Sequence, residues 1–547
     1  MKTLKDLIAR CREPGPGGLT ACAAALFAAA LAGYAVTVCT PAAFEPVYSL
    51  YLDSVSFYWI QALWDRGLFA GDRLAAFYLA HLKPFHPEAL WIWFTALFMK
   101  VSPYTVGLKA LAVLGCAAAA LLVRRLALAS PGPQASGAAA LLFTLLFLSM
   151  DTFFGVPRLY GALALLAFAV ALEERRFLLL PWLTALCFVV YPSAAVGVGF
   201  TAALAPLFFR ADFSARRVLG RYAAHLAGAA ALCLLLLNLS GLANNARARA
   251  AQGPEFQAAK LYQRLAAPLN PANPADAGAN LVLNLNEHAP LYTIFLVLLA
   301  LLYGLGLLVA PGRPALLPRA VPALLAGCGA AFALLYPLHP VSASRQLAVI
   351  LPLALVFLGA EALLILGSGR FRAGPAAAVC AALFALLHPL YNETTSVREF
   401  AGAYKFLRAA PGGVAAAYPD GVLNLALPVF TGKAVLVSSD LKDQELLFLG
   451  GGEHEARRTA LLAALYCAAP SAGEALAVYG VRWLVFEKKY YGGWFVEEAL
   501  QSRSPLYDGL PELLAARDTA ACYESRRAGA AYAWDGGYVL DLAPKPL

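Results

Sequence analysis

The chain of 547 residues carries a net charge of +9 at pH 7, with 61% hydrophobic and only 14% charged residues. Its mean hydropathy is +0.66, far above that of an ordinary soluble domain. The basic excess belongs to the apolar part of the chain, because acidic residues outnumber basic ones from residue 392 onward. This composition predicts a membrane protein and argues against a nucleic-acid partner, which would need a separate basic surface.

Apolar segments near the roughly 20 residues that cross a bilayer recur up to residue 391. The first, 19–40, is too long for a cleaved signal peptide and has further apolar segments after it. Lys and Arg cluster in alternate connections, so the positive-inside rule places the N-terminus in the cytoplasm. We predict an α-helical polytopic membrane protein with about eleven transmembrane helices, at residues 19–40, 105–123, 136–151, 157–173, 177–191, 193–208, 222–240, 289–309, 319–337, 346–368 and 374–391.

Three places in this threading leave alternatives open. The spans around 151–158 and 191–192 are short, so their connections are either true hairpins or half-embedded bends covered by protein. The apolar stretch 88–102 is either an outer helix lying on the membrane, which we favour, or a further span.

The threading leaves two long loops, 41–104 and 241–288, on the outer face, together with everything after Tyr391. We therefore predict a transmembrane domain at 1–391 and a small extracytoplasmic α/β domain at 392–547. Within the second domain the periodicity predicts two helices and three strands, at Val397–Ala409 and Arg458–Tyr466, and at Val414–Tyr418, Ala434–Val437 and Val481–Phe486.

Two further features of the C-terminal domain are read from its sequence. Gly450–His454 has the composition of a glycine-rich turn without the context of a phosphate-binding loop. Cys467 and Cys522 are the only cysteines of this domain. An oxidising compartment permits a disulfide between them, but their spacing does not decide whether it forms.

Ionisable groups near the outer membrane surface are costly and mark candidate functional residues. Asp53 follows the first span, Asp151 and Arg158 flank a bend, Lys260 lies in the second long loop, and Arg345 precedes the tenth span. Transfer from a lipid phosphate needs a carboxylate that takes a proton from the acceptor and a cation that neutralises the departing phosphate. These residue types on one face of the membrane favour that chemistry.

The layout resembles the GT-C superfamily of membrane glycosyltransferases, which includes protein O-mannosyltransferases, aminoarabinose transferases of lipid A and oligosaccharyltransferases. The shared features are an inside N-terminus, a long first outer loop with Asp53 soon after the first span, and an outer C-terminal domain. The resemblance implies transfer of a sugar from a polyprenyl-phosphate donor to a glycan, lipid or protein acceptor, at the outer face of the plasma (inner) membrane. It implies Asp53 as the catalytic residue, and the segments around Arg158 and Arg345 resemble arginine-containing outer segments of such enzymes. We expect Arg345, with Arg158 or Lys260, to bind the donor phosphate.

The chain departs from the commoner pattern of paired acidic residues, because Ser54 follows Asp53. The assignment of the base or of a metal ligand therefore stays open to Asp72, Glu88 or Asp151. No cofactor is certain, and a divalent metal, magnesium or manganese, remains an alternative.

Two other classes of function compete with a transferase. A lipid or small-molecule transporter or flippase usually has internal repeats and charged groups at mid-membrane. We find no repeat between the two halves of this sequence, and most of its candidate polar groups lie at the outer face. A non-catalytic membrane scaffold would share the same topology, so only loss of activity on replacing Asp53 separates a scaffold from an enzyme.

Overall fold

The computed structural model describes the chain in separate stretches. They are residues 46–65, 67–69, 75–76, 79, 89–129, 157–239, 300–301, 304, 317–335, 347, 349–351, 353–358, 394–419, 421–438, 451–468, 472–501, 510–515 and 518–543. The chain divides into two compact units. The first comprises residues 1–40, 83–94 and 108–393, and the second comprises 41–82, 95–107 and 394–547.

The described structure is mostly helical. The first two helices along the chain are α1 at Ala89–Met99 and α2 at Tyr104–Ala129. The helices that follow in the first unit are α3 at Pro157–Glu173, α4 at Leu180–Val190, α5 at Pro192–Phe208, α6 at Arg216–Leu239 and α7 at Ala320–Leu335.

Helices α3, α4, α5 and α7 pack together. At the contact between α5 and α7, a Cβ atom added to Gly327 would lie 2.5 Å from the backbone nitrogen of Thr201. Glycine at this position therefore sets the distance between the two helices. At another contact a Cβ atom on Gly161 would lie 2.5 Å from the ring of Tyr191.

Several interhelical loops, whose basic residues are predicted to face the cytoplasm, meet at one end of this helix bundle. Arg125, near the end of α2, pairs with Glu174 at 2.6 Å, and Arg175 pairs with Asp212 at 2.9 Å. The carboxylate of Glu173 accepts a hydrogen bond of 2.7 Å from the backbone N–H of Ala320 at the start of α7. The end of α2 and the connections before α4, α6 and α7 thus lie together.

Two of the described helices, Tyr104–Ala129 and Arg216–Leu239, are long and apolar enough to cross a bilayer. Helix α1 has 11 residues, about 16 Å of helix, which is shorter than the roughly 30 Å core of a bilayer. Helix α4 ends at Val190 and α5 begins at Pro192. Tyr191, between them, has an extended backbone. The count of eleven spans remains a prediction, and several of its segments lie outside the described residues.

The C-terminal part of the second unit contains a four-stranded sheet. Strands β1 at Ser49–Tyr51 and β2 at Thr394–Ser396 form a separate two-stranded sheet. The strands of the four-stranded sheet are β3 at Val414–Ala416, β4 at Val481–Glu487, β5 at Tyr532–Trp534 and β6 at Gly537–Asp541. The spatial order is β3, β4, β6, β5, with β3 parallel to β4 and the other pairs antiparallel. Val435 adds a single parallel bridge to Ala415 on the outer side of β3.

Helices surround this sheet and bury its central strand. They are α8 at Ala401–Ala409, α9 at Val422–Thr431, α10 at Gly451–Leu465, α11 at Ala472–Ala477, α12 at Gly493–Gln501, α13 at Leu510–Ala515 and α14 at Thr519–Arg527. Six of the seven residues of β4 are buried, as expected for a central strand with helices on its faces. The core includes Leu436, Leu461, Leu484, Phe486 and Tyr538.

The structure corrects one local expectation and settles another. Gly451 and Gly452 begin helix α10, so the prediction of a glycine-rich turn at these residues was wrong. Cys467 and Cys522 form a disulfide, with their Cα atoms 5.9 Å apart. This bond joins the chain just after α10 to α14.

Candidate functional site

Asp53 lies at a junction between a strand and a helix. Strand β1, Ser49–Tyr51, continues directly into a 3₁₀ helix at Leu52–Leu63, and Asp53 is the second residue of that helix. Strand β1 pairs antiparallel with β2, Thr394–Ser396, and Tyr51 lies opposite Thr394. Asp53 therefore lies two residues after the end of a strand whose register is fixed by pairing with β2.

Hydrogen bonds also hold the chain before β1. The N–H of Val397 donates to the carbonyl of Tyr48 at 2.8 Å. The hydroxyl of Thr105 donates to the carbonyl of Val47 at 3.0 Å. The approach to Asp53 is thus tied to two separate parts of the second unit.

The 3₁₀ helix after β1 packs on α9 of the C-terminal region. The side-chain amide of Gln61 donates to the carbonyl of Val429 at 3.4 Å, and the N–H of Phe69 donates to the carbonyl of Gly432 at 2.9 Å. Gly432 ends α9 with a φ of +68°, a conformation that glycine adopts without cost. Residues 41–82 and the C-terminal region therefore belong to one folded unit.

An aromatic row lies beside this junction. The ring of Tyr48 stacks on Phe430 with centroids 5.7 Å apart, and Phe430 stacks on Tyr404 at 5.0 Å. Tyr404 is buried and its hydroxyl donates to the carbonyl of Leu423 at 3.2 Å. The row thus connects the residue before β1 to the helices that cover the sheet.

Arg158, in the first unit, is the second residue of α3 and follows Pro157. Proline is favoured in the first turn of a helix, where its missing N–H is not needed. The neighbouring Tyr160 contacts Phe94 edge to face at 6.3 Å. A guanidinium at a helix N-terminus has the chemistry to bind an anion, because the helix dipole adds to its charge.

The remaining predicted site residues lie outside the described part of the chain. They are Asp72, Glu88, Asp151, Lys260 and Arg345. The described residues contain no group of three or more His, Cys, Asp and Glu side chains that could hold a metal ion. No step below is assigned to a metal.

Sequence reasoning missed one buried carboxylate, Glu487, the last residue of β4. It is 3% exposed, and its Oε2 lies 2.9 Å from Nζ of Lys489. Burial raises the pKa of Glu487 despite the opposing effect of Lys489. The signal in the sequence was an acidic residue ending a strand that is otherwise nearly all apolar, which predicts a carboxylate at the carboxyl edge of the sheet.

No protein-family model matches this chain, and no curated protein is similar to it. Among solved structures it is similar to the oligosaccharyltransferase of Archaeoglobus fulgidus in complex with zinc and sulfate, at 13% identity and a TM-score of 0.46, over 88% of this chain and 70% of that one. The same archaeal enzyme, AglB, with an inhibitory peptide and a dolichol-phosphate, matches at 11% identity and a TM-score of 0.44, over 90% and 72% of the two chains.

A third similar structure is ArnT from Cupriavidus metallidurans bound to undecaprenyl phosphate. It matches at 13% identity and a TM-score of 0.38, over 86% of this chain and 93% of that one.

Proposed function

We propose that this protein is a membrane glycosyltransferase that moves a sugar from a polyprenyl-phosphate donor to an acceptor at the extracytoplasmic face. The observation that carries the proposal is the position of Asp53. It follows a paired strand in the first outer loop, and that strand belongs to the same compact unit as the C-terminal region. A catalytic carboxylate has to be held in a fixed place, and the pairing of β1 with β2 supplies a fixed backbone.

In the proposed reaction Asp53 takes the proton from an acceptor hydroxyl. The acceptor oxygen attacks the anomeric carbon, the bond between that carbon and the phosphate oxygen breaks, and the lipid phosphate leaves with the bonding electrons. The family resemblance implies inversion at the anomeric carbon. Arg345, with Arg158 or Lys260, neutralises the charge of the departing phosphate through charge-assisted hydrogen bonds.

The proposed location is the plasma membrane, with the N-terminus in the cytoplasm and the C-terminal region outside. The disulfide between Cys467 and Cys522 supports this orientation, because disulfides persist outside the cytosol and are rare within it. The meeting of the basic connections at one end of the helix bundle supports their common location at the inner face.

The proposed boundary between the domains lies at residues 391 and 392, with two additions. Residues 41–82 and 95–107 also belong to the compact unit that contains the C-terminal region. We therefore infer that the C-terminal region is part of the machinery that holds Asp53. Deletion of residues 396–547 should abolish transfer, and full activity of the truncated protein would refute this role.

The proposal is tested with the full-length protein purified in detergent and a panel of radiolabelled polyprenyl-phosphate sugars. Dolichol-phosphate and undecaprenyl phosphate, the lipids bound in the similar structures, define the lipid carriers to use first. Membranes supply a mixed set of glycan, lipid and protein acceptors. We expect label from one donor to appear in an acceptor, whereas movement of intact donor across liposomes without transfer would indicate a flippase.

A further inference from the structure

The junction that carries Asp53 receives two contacts that the sheet pairing does not require. One is a hydrogen bond from the side chain of Thr105, and the other is the ring of Phe430. We propose that Thr105 and Phe430 are positioning residues that fix the backbone of β1 and thereby the place of Asp53. The catalytic part of this inference rests on the function proposed above.

Thr105 contacts the segment that leads into β1. The residue is only 4% exposed, and it is the second residue of α2. Its hydroxyl reaches the carbonyl of Val47, two residues before β1. The hydroxyl of a threonine in the first turn of a helix more often bonds to the backbone of its own helix. Here it bonds to a residue 58 positions away, and this bond fixes the segment that enters β1.

Phe430, which lies far from this segment in the sequence, also contacts it. Its ring, on α9, lies between Tyr48 and Tyr404, at interplanar angles of 29° and 18°. Tyr48 directly precedes β1, and its carbonyl accepts the hydrogen bond from Val397 that follows β2. Stacking therefore holds the ring of Tyr48 while hydrogen bonding holds its backbone.

These contacts matter because the paired strands are short. Strands β1 and β2 contain three residues each, and an isolated two-stranded ladder is marginally stable. One hydrogen bond contributes about 1 kcal/mol net, so losing either contact should increase the opening of β1 by about fivefold. A displacement of about 1 Å at a reacting group lowers turnover by a factor on the order of 10².

The test compares two variants with two matched controls, all in the full-length protein. Thr105→Val and Phe430→Leu remove the contacts. Thr184→Val removes a threonine hydroxyl that donates only within α4, and Phe495→Leu removes an aromatic ring that contacts Tyr418 and Tyr490, away from β1. The readouts are amide hydrogen exchange of residues 49–53, and kcat and KM for the donor.

We expect amide exchange at residues 49–53 to accelerate about fivefold in Thr105→Val and Phe430→Leu and to stay unchanged in both controls. The kcat should fall by tenfold or more with KM for the donor unchanged, and Phe430→Tyr, which keeps a ring, should restore both readouts. Unchanged exchange in the two variants, or equal effects in the controls, would overturn the positioning role. Accelerated exchange without any transfer activity in the wild type would instead refute the proposed function and leave the structural role standing.

Discussion

The disulfide between Cys467 and Cys522 should be the strongest single link in the second unit, which is called the outer unit below because of its proposed location. The two residues are 55 positions apart, and closing a loop of this length in the unfolded chain is worth about 4 kcal/mol in the chain-entropy treatment. A domain of this size is stabilised by only about 5–15 kcal/mol. We therefore expect the double variant Cys467→Ser, Cys522→Ser to lose a large fraction of the unfolding free energy of this unit.

The assay is pulse proteolysis of the full-length protein in urea, which reports the unfolded fraction of the outer unit. Adding a reductant should lower the urea midpoint of the wild type to that of the double variant, and the double variant should not respond to the reductant. Cys233→Ser, which changes a free cysteine of α6, is the matched control and should leave the reductant effect intact.

The same cysteines report the orientation of the protein. In membranes prepared without reductant, a maleimide reagent should label Cys467 and Cys522 only after reduction. Equal urea midpoints for the wild type and the double variant would refute the stability argument. Labelling without reductant would show that the two thiols are free in the cell and would remove the support that the disulfide gives to an outer location.

Three further predictions concern single residues. Lys433→Met should destabilise the outer unit by about 1–3 kcal/mol in urea unfolding, because its ammonium donates to two backbone carbonyls after α8. Burial raises the pKa of Glu487, so its carboxyl group stays protonated to a higher pH in the native state than in the unfolded chain. The wild-type unfolding free energy should therefore rise as the pH falls toward 4.5, and Glu487→Gln should flatten this dependence. Gly327→Ala should lower the thermal stability of the bundle by overlapping the backbone of Thr201, whereas Gly329→Ala, with open space, should not.

The helices of the first unit were predictable where local signals agree. The predicted segment 157–173 coincides with α3, Pro157–Glu173, because a proline begins it and a run of charged residues ends it. In the outer unit β4 was predictable, since Gly480 adopts a φ of +70° at the expected turn and apolar residues follow. The hairpin of β5 and β6 was missed although Asp535–Gly536 is a turn signal.

The surroundings of Asp53 were not predictable from the sequence. The position of an acidic residue after the first span indicated Asp53, but nothing in the spacing indicates that Ser49–Tyr51 pairs with Thr394–Ser396. Both strands have three residues, too few for a periodic pattern, and their pairing depends on how the intervening helices bring the chain back. The sequence likewise does not distinguish Phe430 from the other apolar residues of α9.

The most direct test of the central claim is the rate of sugar transfer by Asp53→Asn compared with that by Asp65→Asn. Both changes remove one carboxylate from the first outer loop, and the side chain of Asp65 accepts a hydrogen bond from the N–H of Gly67, away from the strand junction. We predict that Asp53→Asn lowers kcat by a factor on the order of 10²–10⁴ with unchanged binding of the lipid-linked donor, while Asp65→Asn stays within about twofold of the wild type. Equal rates for the two variants and the wild type would contradict a catalytic role for Asp53.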